Sequence, residues 1–447
     1  MKNHIGTKLK IGLAAIASLA LAPAGKGQAV DSLLNKLVEK GVLTQTEAKD
    51  LKEQVNSDFS KAYQVKTGLP DWVTSLKLTG DVRGRFEGFY ADAKSGTGED
   101  LFKDRPRFRY RARLGLVATL VNDFEAGVRL SSSEPQENNF GGDPISGNTT
   151  FQNNASYKFV FLDRAYGKWS PKFGPLNTST TIGKMENPFQ VSEMVFDFDY
   201  SPEGIAQQFK FAINDANTLS LNLAGFVLDE LGGDSDDPYL LGAQLRWNGK
   251  FTPMFDATVG LAAFLIDNEE ALTPANIPNI GRGNRPGAQF NPIYVDAGFG
   301  ITLQDFPAYR GSFPIRVTGE YLYNPAMDDR NQGFGAGFSL GKSGKKGTWE
   351  VSYKYKYIGA DAWFDEFVDS DFGVLRPTVS GAGTLTAVSY ASGTNVRGHV
   401  LRAAYSPSDA FTLGVAYSLT RLIDKSGAPD PDDLETGRLQ VDALWRF

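Results

Sequence analysis

From about residue 74 onward, apolar and polar residues alternate one by one. In SLKLTGDVRGRFEGFY, Leu76, Leu78, Val82, Phe86 and Tyr90 take the even positions, and Lys77, Asp81, Arg83, Arg85 and Glu87 the odd ones. The same period recurs through Ile293, Val295, Ala297, Phe299, Ile301 and Leu303, and through Ile315, Val317, Tyr321 and Tyr323. It returns in Trp349, Val351, Tyr353, Tyr355 and Tyr357, and again in Phe411, Leu413, Val415, Tyr417 and Leu419. Successive residues of a strand face opposite sides of its sheet, so each stretch has one apolar and one polar face. An all-β chain follows.

A soluble sandwich alternates in the same way, with its apolar face packed inward. Three features favour a transmembrane barrel instead. The segments run to about 10–16 residues, longer than the usual soluble strand of about 5–6. Their apolar faces carry Phe, Tyr and Trp near the ends, as interfacial girdles do. The connections also alternate in length. Short turns are expected near 121–123, 171–175, 214–216, 250–253, 307–310, 342–346 and 407–409. Longer loops are expected at 91–104, 134–156, 185–203, 230–237, 268–290, 324–329, 361–392 and 422–433. The tally is sixteen strands, an antiparallel transmembrane barrel over residues 72–447; one missed or split hairpin would make it 14 or 18.

The last strand, LETGRLQVDALWRF, puts Leu439, Val441, Ala443, Trp445 and the terminal Phe447 on one face. This resembles the signal by which bacterial outer-membrane barrels meet their assembly machinery, with Phe447, Trp445 and Val441 as its residues.

The N-terminus reads as an export signal over residues 1–29: Lys2, Lys8 and Lys10, then IGLAAIASLALA, then small residues Gly27 and Ala29 before the cut. That apolar run is too short to span a bilayer as a helix. Residues 30–67 read as a periplasmic helical hairpin or short coiled coil. Leu33, Leu34, Leu37 and Val38 recur at helical spacing, and Thr44 and Glu47 form a capping box. It serves either as a spacer or as an oligomerisation or envelope contact.

Charge changes the picture in one place. The chain of 447 residues carries 46 Lys+Arg against 52 Asp+Glu, and loss of the signal's four lysines takes its charge from −6 to −10. That argues against a nucleic-acid binder. Yet RPRFRYRARLGL sets Arg105, Arg107, Arg109, Arg111 and Arg113 at every second position, between Phe108, Tyr110, Ala112 and Leu114. On a barrel wall those arginines face inward, joined by Arg83 and Arg85 on the first strand and Arg129 on the third. Lys158, Arg164 and Lys168 extend the patch onto the fourth. Such arginines either keep the wall wet or act on what passes it; clustering raises their electrostatic cost unless an opposing charge or ligand is present. Cysteine is absent, which removes thiolate chemistry, and no motif calls for a cofactor or a dedicated metal site. AGFSLGKS at 336–343 has Ala336 where a phosphate-binding loop needs glycine.

Several stretches resemble the putative porin family of Gram-negative outer membranes: LLNKLVEKGVLTQTEA, GKMENPF at 183–189, VFDFDYSPEGIA at 195–206, and the aromatic last strand. The resemblance implies a passive diffusion channel for small hydrophilic solutes and ions, a homotrimer in outer-membrane lipid. It also implies that the third long loop, 185–203, folds into the lumen. That loop carries Glu186, Glu193, Asp197, Asp199 and Glu203, stiffened by Pro188 and Pro202. Acids facing an arginine wall would set a transverse field across a narrow opening. Alternatively the loop lies outside, as expected of the acidic loops at 230–237 and 361–371. The wall leans towards weak anion preference. Two other functions remain: a phosphate- or oligosaccharide-specific channel, and a barrel enzyme. An enzyme would have to use His399, the single histidine beyond the signal.

Overall fold

The computed structural model describes residues 68–91, 100–136, 141–233, 236–273, 283–379, 385–424 and 435–447. The expected signal and helical hairpin, residues 1–29 and 30–67, lie outside the described residues. The chain divides into two units, residues 1–78 with 117–122, and residues 79–116 with 123–447. In the first, Thr74 Oγ1 donates to the Thr119 carbonyl and the Val121 amide to the Trp72 carbonyl.

The second unit is the barrel. Its strands are β1 (Val73–Tyr90, closing from residue 79), β2 (Arg105–Leu120), β3 (Phe124–Ser132) and β4 (Val160–Trp169). Next come β5 (Leu176–Lys184), β6 (Glu203–Asn214), β7 (Asn217–Val227) and β8 (Tyr239–Lys250). The far wall is β9 (Phe255–Asp267), β10 (Ile293–Leu303), β11 (Phe313–Tyr323) and β12 (Gln332–Gly341). It closes with β13 (Thr348–Ile358), β14 (Val396–Ser408), β15 (Phe411–Leu422) and β16 (Thr436–Arg446). All sixteen run antiparallel to their neighbours, and β1 pairs β16 from Asp81↔Arg446 to Tyr90↔Gly437. The C-terminal residue completes the seam, because Phe447 and Gly80 exchange backbone hydrogen bonds at 2.9 and 3.0 Å. A closed sheet leaves no unpaired edge, which the bilayer requires.

The outward faces are the apolar ones. Val82, Phe108, Leu114, Val259, Phe299, Leu401, Val415 and Trp445 are all exposed large hydrophobics. A belt of this size would be an aggregation liability in water and is the expected surface in lipid.

Connections on one rim are short. Asn122 and Asp123 both take positive φ between β2 and β3, as a tight two-stranded turn demands. One departs from expectation: β10 and β11 are joined by nine residues, 304–312, rather than by the four expected at 307–310. The long connections on the other rim are L1 to L8 in order, of which L3 is 185–202 and L7 is 359–395.

L3 starts and ends at a paired glycine couple, Gly183↔Gly204, both with positive φ. A Cβ on Gly183 would stand 2.4 Å from the Ala165 carbonyl oxygen, so only glycine lets the chain leave the wall there. L3 then runs inward and meets L7. The Asp197 amide donates to the Phe367 carbonyl at 2.6 Å, the Asp369 amide to the Glu193 carbonyl at 3.0 Å, and Trp363 Nε1 to the Val195 carbonyl at 2.8 Å.

Around these bonds lies an apolar core inside the barrel. Met194, Val195 and Phe196 of L3 pack with Trp363, Phe364 and Phe367 of L7 against Phe226, Phe264, Tyr294 and Leu322 of the wall. The expectation that the acidic stretch 361–371 lies outside is therefore corrected. Asp361 and Asp365 are fully buried, and Glu366 and Asp369 nearly so. The physical reason is the interleaved Trp363, Phe364, Phe367, Val368 and Phe372, whose burial draws the acids in with them.

Candidate functional site

The inner face of β1 carries both signs of charge: Asp81, Arg83, Arg85 and Glu87 share it. Beside it β2 presents Arg105, Arg107, Arg109, Arg111 and Arg113, with Phe108 and Leu114 on the outer face. Acids and arginines meet across the two strands. Arg113 Nε lies 2.7 Å from Asp81 and Arg111 Nη2 3.1 Å from the same carboxylate. Glu87, with no exposed surface, receives Arg107 at 2.5 Å and Arg109 at 3.6 Å. Arg129 pairs with Asp163 on β4.

L3 adds the next layer. Asp199 bridges Arg111 at 2.9 Å and Arg113 at 3.0 Å, and Glu186 reaches Arg164 at 2.7 Å. The loop acids and the wall arginines thus touch rather than face each other across open space. Glu193 and Asp197 point elsewhere. Glu193 meets Lys356 at 3.4 Å and Arg402 at 3.3 Å on β13 and β14. Asp197 accepts the amides of Asp199 and Ser370 at 2.8 and 2.7 Å. Glu203 is not a loop residue: it opens β6 and pairs with Lys184 at 2.9 Å. Lys158 likewise precedes β4, donates to the Gln152 carbonyl, and is no part of the wall.

L7 supplies a partner that the alternation of the strands could not reveal. Asp371 sits 3.0 Å from Arg85 and 2.8 Å from Arg438 of β16, and Arg85 also grips Asp442 at 2.7 Å. Arg438 in turn binds Glu87. Asp81, Glu87, Arg438 and Asp442 were findable from the sequence, since each falls on the inner face of its strand. So do Lys356 and Arg402, whereas Asp371 required the loop's path. In this network Arg83, Arg85, Arg107, Arg109 and Arg438 stand against Glu87, Asp371 and Asp442, five cations to three carboxylates. Arg83 meets only the Asn148 side-chain oxygen, at 2.7 Å, among the described residues.

Burial and charge fix the loop carboxylates differently. Burial opposes the charge of Glu193, but Lys356, Lys354 and Arg402 outweigh it and hold the carboxyl ionised well below the usual carboxylate range. Asp371 is depressed in the same way: burial opposes its charge, and Arg85 and Arg438 prevail. Asp197 moves the other way. Burial, with the neighbouring Asp199 and Asp369 carboxylates, pushes it well above its ordinary value despite its two amide donors.

Between the β2–β5 wall and L3 lies a cavity of about 830 Å³. Arg111, Arg113, Arg129 and Lys184 line it together with the carboxylates of Asp143, Asp163, Asp199, Glu203, Asp229, Glu230 and Glu366, with Ser131, Ser132, Ser133 and Ser201 between. Phe161, Tyr200, Phe364 and Phe367 complete its lining, so charged and aromatic groups meet there. His399, the one candidate for enzyme chemistry, is on the outer face of β14, its Nδ1 2.8 Å from the Tyr353 hydroxyl.

A closed sixteen-stranded antiparallel barrel, belted with apolar residues and narrowed by inward loops, defines the class of passive diffusion channels of the bacterial outer membrane. Residues 98–281 and 315–447 match the family described as putative porins, and the chain belongs to that family. No curated protein matches it. Among solved structures it is similar to OprB of Pseudomonas putida at high pH, with a TM-score of 0.51 and 11% identity over 83% of this chain and 94% of that one. It is also similar to Salmonella typhi OmpF in complex with daunomycin (TM-score 0.45, 11% identity, 83% and 97% covered). The outer-membrane channel DcaP of Acinetobacter baumannii gives 0.44, 11%, 83% and 97%.

Proposed function

We propose that solutes pass beside the arginine wall of β1 and β2, and that the channel prefers small anions weakly. The observation that carries this reading is the five-to-three excess of guanidinium over carboxylate around Arg83, Arg85, Arg107, Arg109 and Arg438. Asp81 and Glu87 of β1 and Asp199 of L3 neutralise most of the arginine row, so the residual field is modest and falls near Arg83 and Arg109. Arg105, at the start of β2, is exposed and adds positive charge at the long-loop rim. A general channel is favoured over a sugar-specific one, because strand aromatics such as Phe108, Phe299, Tyr321 and Tyr417 stand on the outer, lipid-facing side.

Zero-current potentials in a salt gradient test this. Wild type should favour anions and the Arg83→Gln, Arg109→Gln variant should lose that preference; an unchanged potential in the variant sinks the reading.

We further propose a homotrimer. Thr178, Thr180 and Gln207 fall on the outer face of β5 and β6, between the exposed Ile182 and Ile205 on one side and Phe211 on the other. Thr180 and Gln207 bond each other at 2.5 Å. Polar side chains in that belt suit a protein contact better than hydrocarbon.

A further inference from the structure

On β8 to β13 the inward charges pair across an intervening strand. Arg246 of β8 and Asp296 of β10 both stand opposite Gly260 of β9, and Arg246 Nη1 reaches the Asp296 carboxylate over it at 2.9 Å. Asp256 of β9 and Arg316 of β11 meet at 2.7 Å over Gly300 of β10. Glu320 of β11 and Lys354 of β13 meet at 2.6 Å past Gly335 of β12. Strands two apart lie about 10 Å from each other, so these pairs bridge only by lying flat along the wall. A side chain between the partners takes that room. A Cβ on Gly260 would run into Asp296 Oδ1 and stand 2.7 Å from Arg246 Nη1, and one on Gly335 would stand 2.5 Å from Glu320 Oε1. On Gly300 it would run into the Asp256 carboxylate. The atoms met are side-chain ends, which can swing into the lumen while the strands keep their register.

Two of the three pairs carry L3. Arg246 Nη1 also donates to the Gln190 carbonyl at 3.1 Å, beside the two bonds that Gln190 exchanges with the Gln244 side chain at 2.8 and 2.9 Å. Glu320 accepts the Tyr294 hydroxyl at 2.8 Å, and that hydroxyl accepts the Ser192 amide at 3.3 Å. L3 therefore rests against the far wall through Gln190 and Ser192, and against the arginine wall through Asp199. The Asp256–Arg316 pair has the same construction but bonds to Thr258 and to no residue of L3.

From this arrangement we infer that Gly260 and Gly335 are positioning residues that determine the size of solute the channel passes. They let two ion pairs lie flat, and the flat pairs set how far L3 stands from the far wall. A pair lifted by a Cβ pushes L3 towards β1 and β2 and narrows the opening there. The inference rests on the reading that solutes pass beside the arginine wall.

The test is liposome swelling with the reconstituted full chain and neutral sugars of increasing size, which report width without charge. Gly260→Ala should admit a trisaccharide several-fold more slowly, relative to a pentose, than wild type does. Gly335→Ala should act in the same direction. Gly300→Ala, the same methyl on the pair that does not touch L3, should keep the wild-type ratio. In an Arg246→Ala, Asp296→Ala background the methyl has nothing to lift, and Gly260→Ala should change nothing further. Wild-type ratios in both Gly260→Ala and Gly335→Ala overturn the inference. An equal fall in Gly300→Ala also overturns it, since the effect is then a general strain on the barrel, as does a further fall in the background without the pair. If Gly260→Ala does not insert, Gly335→Ala compared with Gly300→Ala decides. Failure of the anion reading shows separately, as a wild-type zero-current potential without anion preference, and the sugar ratios still decide this inference.

Discussion

Asp371 of L7 stands 3.0 Å from Arg85 of β1. A loop from the far side of the sequence is thereby clamped to the first strand, and Arg438 of β16 closes the clamp at 2.8 Å. Loop and wall charges are therefore a single unit, and changing one acid alters both pore shape and pore charge.

Asp371→Asn should release Arg85 and Arg438 from L7 together, leaving them on Asp442 and Glu87. Removing one partner of a buried ion pair costs about 3–5 kcal/mol, here drawn from the docking of L7 rather than from the barrel ladder. Single-channel recording should show a larger, noisier conductance and stronger anion preference. Identical traces would mean that L7 does not narrow the path.

Trp363 is fully buried between Phe264, Phe290 and Phe367 and donates to the Val195 carbonyl. Trp363→Ala should weaken the contact between L3 and L7 by about 3–5 kcal/mol. Limited proteolysis should then cut L7 in a barrel that still runs as folded on a gel. Protection equal to wild type would place the loop's stability elsewhere.

The loop carboxylates predict a pH response of defined sign. Glu193 and Asp371 are depressed, so their contribution is present above the ordinary carboxylate value and is lost as pH falls through their folded values. Asp197 is raised, so its contribution is complete below that value and is lost as pH rises through its folded one. Docking of L3 on L7 should tighten as pH falls through the raised value of Asp197, then fail in acid below the ordinary carboxylate value. Open-channel noise measures it. Asp197→Asn should lose the tightening and keep the failure in strong acid; a variant that keeps the wild-type profile would assign the response to another group.

Deleting Phe447 removes both backbone bonds to Gly80 and the last outward aromatic of β16. The fraction of chain that reaches a heat-modifiable, membrane-inserted form should fall several-fold. Normal yield would show that Trp445 and Val441 suffice for assembly.

Replacing Thr178 and Gln207 by arginine should shift the extracted protein from trimer to monomer, read as mass in detergent. A mass that stays the same in both would move the subunit contact to another face.

The period-two alternation determined the strands, their inner and outer faces and their number, because burial in lipid on one side and water on the other imposes that period on every strand. It also placed Arg83, Arg85, Arg107, Arg109, Arg111, Arg113 and Arg129 on the inner face, whereas Arg164 joins them through a bulge after Leu162. It could not say that Asp199 would touch Arg111 and Arg113, that Glu193 would turn to Lys356, or that Glu203 would belong to β6. Nor could it lead Asp371 to Arg85, 286 residues away. Loops carry no such period. Their path is decided by which apolar residues find a common core, and Met194, Phe196, Trp363 and Phe367 find theirs only once the barrel has closed around them.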